Sequence, residues 1–530
     1  MVAPDHDDLP DDAGTHEAAG MAAEPSADGK GPTQAQILMQ MAEDAYRLIR
    51  STDGRTYAVP RLGPNIAVPL ASKSGAGIRA KLADSLWRQT GKVATGSALS
   101  DCINVLEGEA SELDPTPVFL RMGHTGDTGD SDDGEALVVD MGTETGQCIH
   151  ITPDGWDIRP SSPVIFRRSE LTHPLVEPVR GGTLAPLRTL VNLSEDDFRL
   201  VIGWVVAAYF TDIPHPILLV QGEQGTAKSN LIRCLLGLID PQPAEDRESP
   251  ADKREWAIFA RASWAFSFDN VTEIPDWLSN SLCKGVTGDA VLQRVLHSDE
   301  DIAVFSFQRV IAMTTIAIKH DLAGDLTDRM LLVEPEVIEH RRAEADIAAA
   351  RAAALPDALS AVLDLVAGVL AQLPTVQLPD PPRMADFAEV LAAVDTVTGW
   401  ATLPTYRARV AALGMALIEG NTFARALHWH AATLKPGHAG GSFEPGVWEG
   451  TAEDLLTALR AICERHGLPV DELPKDARAV GRKVREIAPS LRKVGVDIRP
   501  DRTNKRRTLR LQRITDHNLL SGQGRSTPPS

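Results

Sequence analysis

A chain of 530 residues is too long for one hydrophobic core, so we expect two to four domains. Its 43% hydrophobic and 24% charged content is ordinary for a globular protein, and its longest apolar run, residues 200–210, is too short to span a membrane. The net charge of −20 excludes a wholly basic nucleic-acid coat protein. Five scattered cysteines without a C-x-x-C pair argue against a disulfide framework or a zinc site, and the N-terminus has no signal-peptide pattern. We therefore expect a cytoplasmic protein that does not contact a membrane.

The first third of the chain divides into an acidic segment and an α+β region. Residues 1–31 hold eight Asp or Glu against the single Lys30, which predicts a disordered acidic tail. Helical periodicity is found in three segments, at residues 34–50, 77–90 and 97–108. Short β-like runs follow at residues 118–122, 136–141, 147–152 and 163–168. With a mobile acidic loop at 124–135 and an extended linker at 174–186, residues 32–186 are predicted to form an N-terminal α+β domain.

The rest of the chain is predicted to contain three further units. Residues 187–337 alternate helix and strand, as a parallel α/β nucleotide-binding domain does. An Ala/Leu-rich helix pair at 338–373 and helices at 384–434 make a helical region, 338–435. A glycine-rich linker at 436–445 leads to a compact unit at 450–513 and a disordered tail at 514–530.

A phosphate-binding loop is the strongest motif. An apolar, strand-like run at 217–221 is followed by G-E-Q-G-T-A-K-S and an amphipathic helix at 229–238, which is the context that a P-loop requires. Backbone N–H groups of such a loop point at a β-phosphate, and the helix N-terminus adds positive potential. Lys228 would reach the β- and γ-phosphates of ATP, and Ser229 would ligate Mg²⁺. The predicted nucleotide-binding residues are Gly222, Glu223, Gln224, Gly225, Thr226, Ala227, Lys228, Ser229 and Asn230.

The P-loop motif carries one departure from its usual pattern and one alternative interpretation. Ala227 stands where the last glycine of the motif is expected, and its methyl group restricts the backbone without forbidding an α-like conformation. The alternative interpretation is that the segment is a chance glycine-rich turn with a surface lysine.

An acidic strand is expected to complete the metal site. The apolar run at 263–270 ends in Asp269, 41 residues after Lys228, and a carboxylate at this point would hold Mg²⁺. Alternatively, Asp269 only terminates a strand. The next residue is Asn270 rather than the glutamate that polarises the attacking water, so Glu273 is the nearest candidate base, unless it caps a helix that begins near Ile274.

Two further candidates follow the acidic strand. A third core strand at 310–315 ends in Thr314 and Thr315; either threonine is a candidate sensor of the γ-phosphate, we take Thr315, and both are also ordinary ends of a strand. Arg329 in L-T-D-R-M is placed to reach a neighbouring subunit's γ-phosphate. The alternative is an ion pair between Asp328 and Arg329.

The C-terminal unit is strongly basic. Between residues 475 and 513, fourteen Lys or Arg face four acids, a local net charge of +10. Helices predicted at 451–466, 476–487 and 490–494, followed by extended runs at 496–500 and 507–512, describe a winged helix-turn-helix that would contact DNA phosphates. The alternative is a basic domain that binds acidic protein, such as the chain's own N-terminal tail. The predicted DNA contacts are Arg482, Lys483, Arg485, Arg492, Lys493, Lys505, Arg506 and Arg507.

A family resemblance rests on three runs, G-E-Q-G-T-A-K-S, W-A-F-S-F-D-N-V-T-E-I-P-D-W-L-S-N-S-L-C and G-D-L-T-D-R-M-L-L-V. Over roughly residues 77–513 the chain resembles the ATP-binding proteins of bacterial phages, plasmids and integrative elements. These proteins are similar to the helicase part of phage and poxvirus-type primase-helicases, in the superfamily 3 branch of AAA+ ATPases. The variant Ala227 is itself a feature of that family.

The resemblance implies a hexameric ring in which Arg329 acts across the subunit interface. It also implies that residues 291–307 occupy the place of a DNA-contacting hairpin. The sequence departs from the family here, because the hairpin tip at 298–301 is S-D-E-D, with only Arg294 and His297 nearby, and because Thr replaces the sensor Asn. Both departures argue against processive unwinding. The isolated Asp140 and His150 do not make a primase metal site.

Together these features predict an α/β protein with a P-loop NTPase core and a C-terminal winged helix. The expected function is that of a DNA-linked ATPase, a helicase-like replication or maintenance protein of a mobile element that uses ATP and Mg²⁺. An ATP-switched DNA-binding regulator or loader without unwinding activity is the alternative, and a defence-type NTPase is a third class.

Overall fold

The structure is a computed structural model in which the described part of the chain comprises residues 32–71, 77–126, 135–243, 247–288, 290–294, 302–306, 308–316, 324–338, 340–434, 437–439, 442–444, 446–503 and 506–514. The predicted acidic tail, the centre of the 124–135 loop, the hairpin tip at 298–301 and the C-terminal tail after Ile514 lie outside these residues.

The N-terminal region contains two sheets. Its helices are α1 (Gln34–Ala45), α2 (Ile78–Thr90) and α3 (Gly96–Ser111). Its strands are β1 (Tyr46–Ser51), β2 (Thr56–Pro60), β3 (Ile66–Pro69), β4 (Pro115–Thr116), β5 (Met122–His124), β6 (Leu137–Asp140), β7 (Cys148–Thr152), β8 (Gly155–Arg159) and β9 (Phe166–Arg167). The first sheet has the order β4-β1-β2-β3-β9, and the second has the order β5-β6-β7-β8.

The predicted helix at 34–50 is wrong in its second half. A capping box between Thr33 and Gln36 starts α1, but the helix ends at Ala45. The following residues form β1 and pair antiparallel with β2, in a register that places Tyr46 opposite Pro60. The hairpin partner supplies the backbone hydrogen bonds that the helix would otherwise have supplied, and such tertiary pairing is invisible in local periodicity.

The two N-terminal sheets have different hydrophobic cores. The first packs against α1–α3 through a core that spans Leu38 to Ala110. The second contributes Met122, Val139 and Ile149 to the large core of the central region, which carries the predicted P-loop. The second sheet therefore packs directly onto the region that carries the P-loop.

The central region is built on a four-stranded parallel sheet. Its helices are α4 (Ala185–Arg188), α5 (Glu195–Ala207), α6 (Lys228–Ile239), α7 (Lys253–Ala262), α8 (Asp276–Thr287) and α9 (Gly324–Thr327). Its strands are β10 (Ile217–Gln221), β11 (Ala265–Phe268), β12 (Ala290–Arg294), β13 (Ile302–Ser306), β14 (Val310–Thr315) and β15 (Met330–Val333). The sheet order is β11-β14-β10-β15, and β12 and β13 form a separate antiparallel pair.

Strand alternation explains why both faces of this sheet are covered. Leu218 and Val220 of β10 belong to the core formed with α5 and α6, whereas Ile217 and Leu219 belong to a second core formed with α7 and α8. Parallel strands that are buried on both faces consist of near-continuous apolar residues, as these do. The predicted α/β alternation over 187–337 is confirmed at the level of a parallel sheet with helices on both sides.

The helical region contains α10 (Glu344–Gln372), α11 (Ala385–Thr398), α12 (Thr402–Gly420) and α13 (Thr422–Thr433). The predicted helix pair at 338–373 is wrong, because α10 is one helix that contains Pro356. Proline has no amide N–H, so α10 lacks one hydrogen bond to the carbonyl four residues earlier, yet the helix continues to Gln372. The Pro356 carbonyl accepts a hydrogen bond from the Val179 amide. Residues Glu344–Thr375 are long and apolar enough to cross a membrane. More than half of the apolar 18-residue stretch within them is buried inside the protein, as in a core helix.

The C-terminal region contains β16 (Gly437–Ala439), β17 (Ser442–Glu444), β18 (Val447–Gly450), α14 (Ala452–His466), α15 (Ala477–Lys493), β19 (Val496–Thr503) and β20 (Arg506–Arg513). The separate helices predicted at 476–487 and 490–494 are one helix, α15, which contains Pro489. The predicted linker at 436–445 contains the short β16–β17 ladder. An unpredicted strand, β18, completes a sheet of order β18-β20-β19, and α13 shares its core with α14 and α15.

Candidate functional site

The predicted P-loop connects β10 to α6, at the carboxyl end of a central strand. Two of its residues have positive φ angles, Gly225 at 85° and Ala227 at 57°. Ala227 is the N-cap of α6 and has a left-handed conformation with ψ 33°. An alanine pays roughly 1–2 kcal/mol there that a glycine would avoid. The α-like conformation that we expected at Ala227 is left-handed. Ala227 therefore has a backbone conformation that glycine adopts readily.

Lys228 is turned toward the inside of the loop. Its Nζ donates hydrogen bonds to the carbonyl oxygens of Gly222 and Glu223, both at 2.8 Å. Thr226 closes the same turn by donating to the Glu223 carbonyl at 3.0 Å. Partial burial lowers the pKa of the Lys228 amine, while the negative charge of Asp269 opposes that shift. The ammonium group thus lies where a phosphate group would meet the loop.

Ser229, Asp269 and Thr314 form a connected polar cluster. The Ser229 hydroxyl donates to Asp269 Oδ1 at 3.1 Å, and the Thr314 hydroxyl donates to the same oxygen at 2.5 Å. The cluster follows from the sheet order, because β14 lies between the P-loop strand β10 and the acidic strand β11. Parallel strands bring their carboxyl ends to one edge, where ligands bind in α/β folds.

The donor set of this cluster fits Mg²⁺. A serine hydroxyl and a carboxylate are hard oxygen ligands, and Mg²⁺ commonly takes one or two protein oxygens together with water and phosphate oxygens. Within the described residues, His, Cys, Asp and Glu nowhere form a group of three or more that could hold a metal ion. Ser229 and Asp269 would supply two protein oxygens to Mg²⁺, with phosphate oxygens and water as the other ligands.

The structure distinguishes the two candidate threonines. Thr314 contacts Asp269 and also accepts a hydrogen bond from the Asn270 amide at 2.7 Å. Thr315 is buried, and its carbonyl accepts the Gly222 amide at 3.2 Å, so it supports the start of the P-loop. Thr314 thus joins the cluster, and the role of Thr315, the candidate we took, stays a prediction.

The two candidates for the catalytic base have different settings. Asn270 follows Asp269 with a φ angle of 51°, a left-handed conformation that asparagine tolerates well. Glu273 is exposed, and because α8 begins only at Asp276 with Pro275 as its N-cap, Glu273 is not the N-cap of that helix. Its assignment as a base stays a prediction.

Arg329 lies at the amino ends of the parallel strands, whereas the P-loop lies at their carboxyl ends. The register pairs Ile217 with Met330, so Arg329 precedes β15 at the end where the strands begin. A five-residue strand separates its amino end from its carboxyl end by roughly 15 Å. Arg329 therefore does not reach the P-loop of its own chain.

An ion-pair cluster holds Arg329 in place. Its Nη1 lies 2.6 Å from Asp325 Oδ1, and only 12% of its side chain is exposed. Arg383 from the helical region contacts the same Asp325 oxygen at 2.6 Å and Asp328 at 3.9 Å. Burial raises the pKa of Asp325, but the two arginines outweigh it and hold that pKa below its ordinary value. Arg329 thus takes part in an ion-pair cluster in which it contacts Asp325 and Arg383 contacts Asp328, while the alternative pair between Asp328 and Arg329 stays a prediction.

The predicted DNA-contacting residues have different settings in the C-terminal unit. Arg482 and Arg485 are exposed on α15, and Arg507 is exposed on β20. Arg492 contacts the buried carboxylate of Asp497 at 2.9 Å, so part of its charge is neutralised. Lys483 is half-buried, while Lys505 and the side chains of Lys493 and Arg506 lie outside the described residues, as do those of Arg294 and His297 at the β12–β13 hairpin.

A groove in this unit was not predicted from the sequence. It has a volume of about 890 Å³ and lies between the start of α14, the first half of α15 and the β19–β20 pair. Its charged lining consists of Arg478, Arg485, Arg507, Glu453 and Asp501. Charge density alone pointed to the unit, but only the packing of α15 against β19, the strand paired with β20, shows which arginines share a groove.

Two family models match the chain. Residues 185–415 match the actinomycete integrative conjugative element replication protein, and residues 431–526 match the AICE RepA C-terminal domain. The expected likeness to proteins of integrative elements is confirmed at this level. No curated protein matches the chain.

Solved structures of helicases and related proteins are similar to the chain at low identity. The NrS-1 C-terminal region is 12% identical, with a TM-score of 0.39 over 92% of this chain and 100% of that chain. The active helicase SCCmec type IV Cch is 12% identical, with a TM-score of 0.41 over 90% of this chain and 94% of that chain. The JCV helicase is 12% identical, with a TM-score of 0.22 over 44% and 63% of the two chains.

Proposed function

We propose that this chain, whose residues 185–415 and 431–526 match replication proteins of actinomycete integrative conjugative elements, is a DNA-linked ATPase that acts in the replication or maintenance of such an element. The proposal includes a P-loop fold of the superfamily 3 type, ATP and Mg²⁺ as ligands, and a cytoplasmic location. The five cysteines, which are all buried thiols, support a reducing compartment.

The convergence of Lys228, Ser229 and Asp269 is the observation that carries the ATPase proposal. A lysine enclosed by a glycine turn, next to a serine 3.1 Å from a carboxylate, provides one group for the phosphates and two oxygens for Mg²⁺. On nucleotide binding, the Lys228 amine would exchange its two carbonyl contacts for phosphate oxygens. Mg²⁺ supplies charge neutralisation at the phosphates when bound, and Thr314 orients the Asp269 carboxylate toward it.

The fold of the C-terminal unit supports DNA binding. Apart from the short β16–β17 ladder, the order α13-β18-α14-α15-β19-β20, with the sheet order β18-β20-β19, supports a winged helix-turn-helix domain as the proposed fold of this unit. In that arrangement α15 is the helix that enters the DNA major groove and β19–β20 is the wing. Arg485 and Arg507 line the groove between the two elements and would contact backbone phosphates.

Nucleotide binding tests the ATPase proposal first. We expect the wild-type chain to bind and hydrolyse ATP in the presence of Mg²⁺, Lys228→Ala to lose binding, and Asp269→Asn to retain part of the binding but lose hydrolysis. Equilibrium binding of a fluorescent ATP analogue and release of inorganic phosphate measure the two effects. Hydrolysis that Lys228→Ala leaves intact would rule the site out.

An ATP-switched regulator or loader is the second candidate function. Asn270 favours it, because an amide does not act as a general base and leaves hydrolysis slow. A strand-displacement assay separates the two functions, since only the motor releases a labelled strand from a forked duplex in an ATP-dependent way.

A further inference from the structure

One arginine reaches the P-loop from outside it. A Cβ atom added to Gly225 would lie 2.8 Å from Nη2 of Arg341 and 3.5 Å from its Cζ. The guanidinium therefore occupies the space that the missing side chain leaves open. Gly225, at a φ angle of 85°, is needed both for this conformation and for this approach.

The backbone around Arg341 is anchored on both sides. Before it, the Glu336 amide donates to the Asn192 carbonyl at 2.8 Å, in the segment that leads into α5. After it, Glu344 at the start of α10 contacts Arg233 of the P-loop helix α6 at 2.9 Å. Arg351, further along α10, donates to Asn230 in the first turn of α6 at 3.4 Å. Arg341 is thus held beside the loop by contacts with the P-loop helix itself.

The adjacent arginine is differently placed. Arg342 has the same charge and is also exposed, but its Nη2 lies 3.5 Å from the carbonyl oxygen of Asp346, on the first turn of α10. Within the described chain, no carboxylate lies within salt-bridge distance of Arg341, so its charge remains available next to a loop whose N–H groups attract anions.

We propose that Arg341 binds the β- and γ-phosphates of the nucleotide held by its own chain. The guanidinium is planar and presents paired N–H donors that match phosphate oxygens. Arg341 would thus act on the site of the same chain, whereas Arg329 at the far edge of the sheet would act only on a neighbour. This inference rests on the proposed ATPase function of the P-loop.

The matched pair Arg341→Ala and Arg342→Ala tests the inference. The full-length variants are compared with the wild type by equilibrium binding of fluorescent ATP and ADP analogues in Mg²⁺ buffer without DNA. We expect Arg341→Ala to weaken ATP binding about tenfold or more, and ADP binding less, because a hydrogen bond to a charged group is lost. Arg342→Ala should stay within about twofold of the wild type. Arg341→Lys should fall between, since lysine keeps the charge but not the paired donors.

The outcomes separate this inference from the proposed function. Equal affinities of Arg341→Ala and Arg342→Ala for ATP would overturn the role of Arg341. The proposed function of the P-loop would still stand if the wild type binds ATP and Lys228→Ala does not. No ATP binding by the wild-type chain would overturn both. The melting temperature of each variant without nucleotide should match that of the wild type, since both side chains are exposed, and a lower value for Arg341→Ala alone would indicate a structural role instead.

Discussion

At the scale of single residues, the arrangement depends on one carboxylate oxygen that accepts two hydroxyl groups. Asp269 Oδ1 accepts hydrogen bonds from Ser229 and Thr314, and Thr314 in turn receives the Asn270 amide. This network orients the carboxylate and sets the path of the backbone that follows the acidic strand. The hydroxyl of Thr314 therefore affects both Asp269, the predicted metal ligand, and Asn270.

The two neighbouring threonines provide a matched test of this network. Thr314→Val keeps the shape of the side chain but removes the hydroxyl, which leaves the Asn270 amide without its acceptor. We expect ATP hydrolysis to fall about tenfold or more, while ATP binding changes less, because an oriented ligand at the metal is lost. Thr315→Val should have the smaller effect, measured as phosphate release at saturating ATP. A larger loss in Thr315→Val would reverse the assignment in favour of Thr315.

The sequence predicts the residues of this site more securely than their roles. Lys228, Ser229 and Asp269 follow from the order of strand, loop, helix and strand, and the structure brings them together. Thr314 and Thr315 are equivalent in the sequence because both end the same strand. Only the position of β14 between β10 and β11 decides which side chain faces Asp269. Arg341 was not foreseen, because no local pattern connects it with a loop more than a hundred residues earlier.

At the scale of secondary-structure elements, His215 ties the start of the P-loop strand to α5. Its ring is completely buried, and Nε2 lies 2.9 Å from the carbonyl oxygen of Ala207, so the neutral ring donates through Nε2. Burial lowers the pKa of His215 from 6.5 to about 4. The folded protein therefore keeps this ring neutral while the unfolded chain protonates it.

This difference predicts a pH dependence of stability. Above pH 6.5 the ring is neutral in both states; as the pH falls from 6.5 toward 4, only the unfolded chain gains the proton, so stability is lost in that window. The full loss is on the order of 3 kcal/mol. Denaturant unfolding between pH 7.5 and 4.5 measures it, and His215→Gln, which retains a donor, should lose less stability over this range. Identical pH slopes for the two proteins would contradict this role of His215.

Elements whose boundaries depend on tertiary contacts were the least predictable. Helical periodicity continues past Ala45, yet β1 forms because β2 pairs with it. Separate helices were predicted within 338–373 and 476–494, but α10 and α15 are single helices that continue through Pro356 and Pro489, because packing in the core outweighs one lost hydrogen bond. Three strands of the central sheet, β10, β11 and β14, were predicted, since a short continuous apolar run between a turn and a helix is typical of a strand buried on both faces, whereas β15 was not.

At the scale of the whole molecule, the role predicted for Arg329 would need a second copy of the chain. Arg329 lies at the amino ends of the strands, away from the P-loop, and contacts Asp325, so it would complete a nucleotide site only across an interface. A ring such as the hexamer implied by the family resemblance would provide that interface. Arg329 would then exchange its contact with Asp325 for the neighbour's phosphate.

Mixing two inactive variants tests this arrangement. Lys228→Ala retains Arg329 but lacks a working P-loop, whereas Arg329→Ala has the opposite defect. If Arg329 acts across an interface, a mixture should recover ATP hydrolysis, because some interfaces combine an intact P-loop with an intact Arg329. Phosphate release measured against mixing ratio gives the recovery, and particle mass with ATP gives the number of subunits. A mixture no more active than its components, at a mass that demonstrates mixed assemblies, would contradict the role of Arg329.

The coupling of ATP hydrolysis to DNA is tested most directly by the hydrolysis rate of the full chain with and without single- or double-stranded DNA. We predict that DNA raises the hydrolysis rate. The double variant Arg485→Ala/Arg507→Ala in the C-terminal groove should lose most of this increase while keeping its basal rate. The control Arg460→Ala, at an exposed arginine on α14, should retain the increase. Raising the salt concentration should weaken the stimulation, since phosphate contacts release counterions. A rate that neither form of DNA changes, in a protein that hydrolyses ATP, would contradict a DNA-linked ATPase.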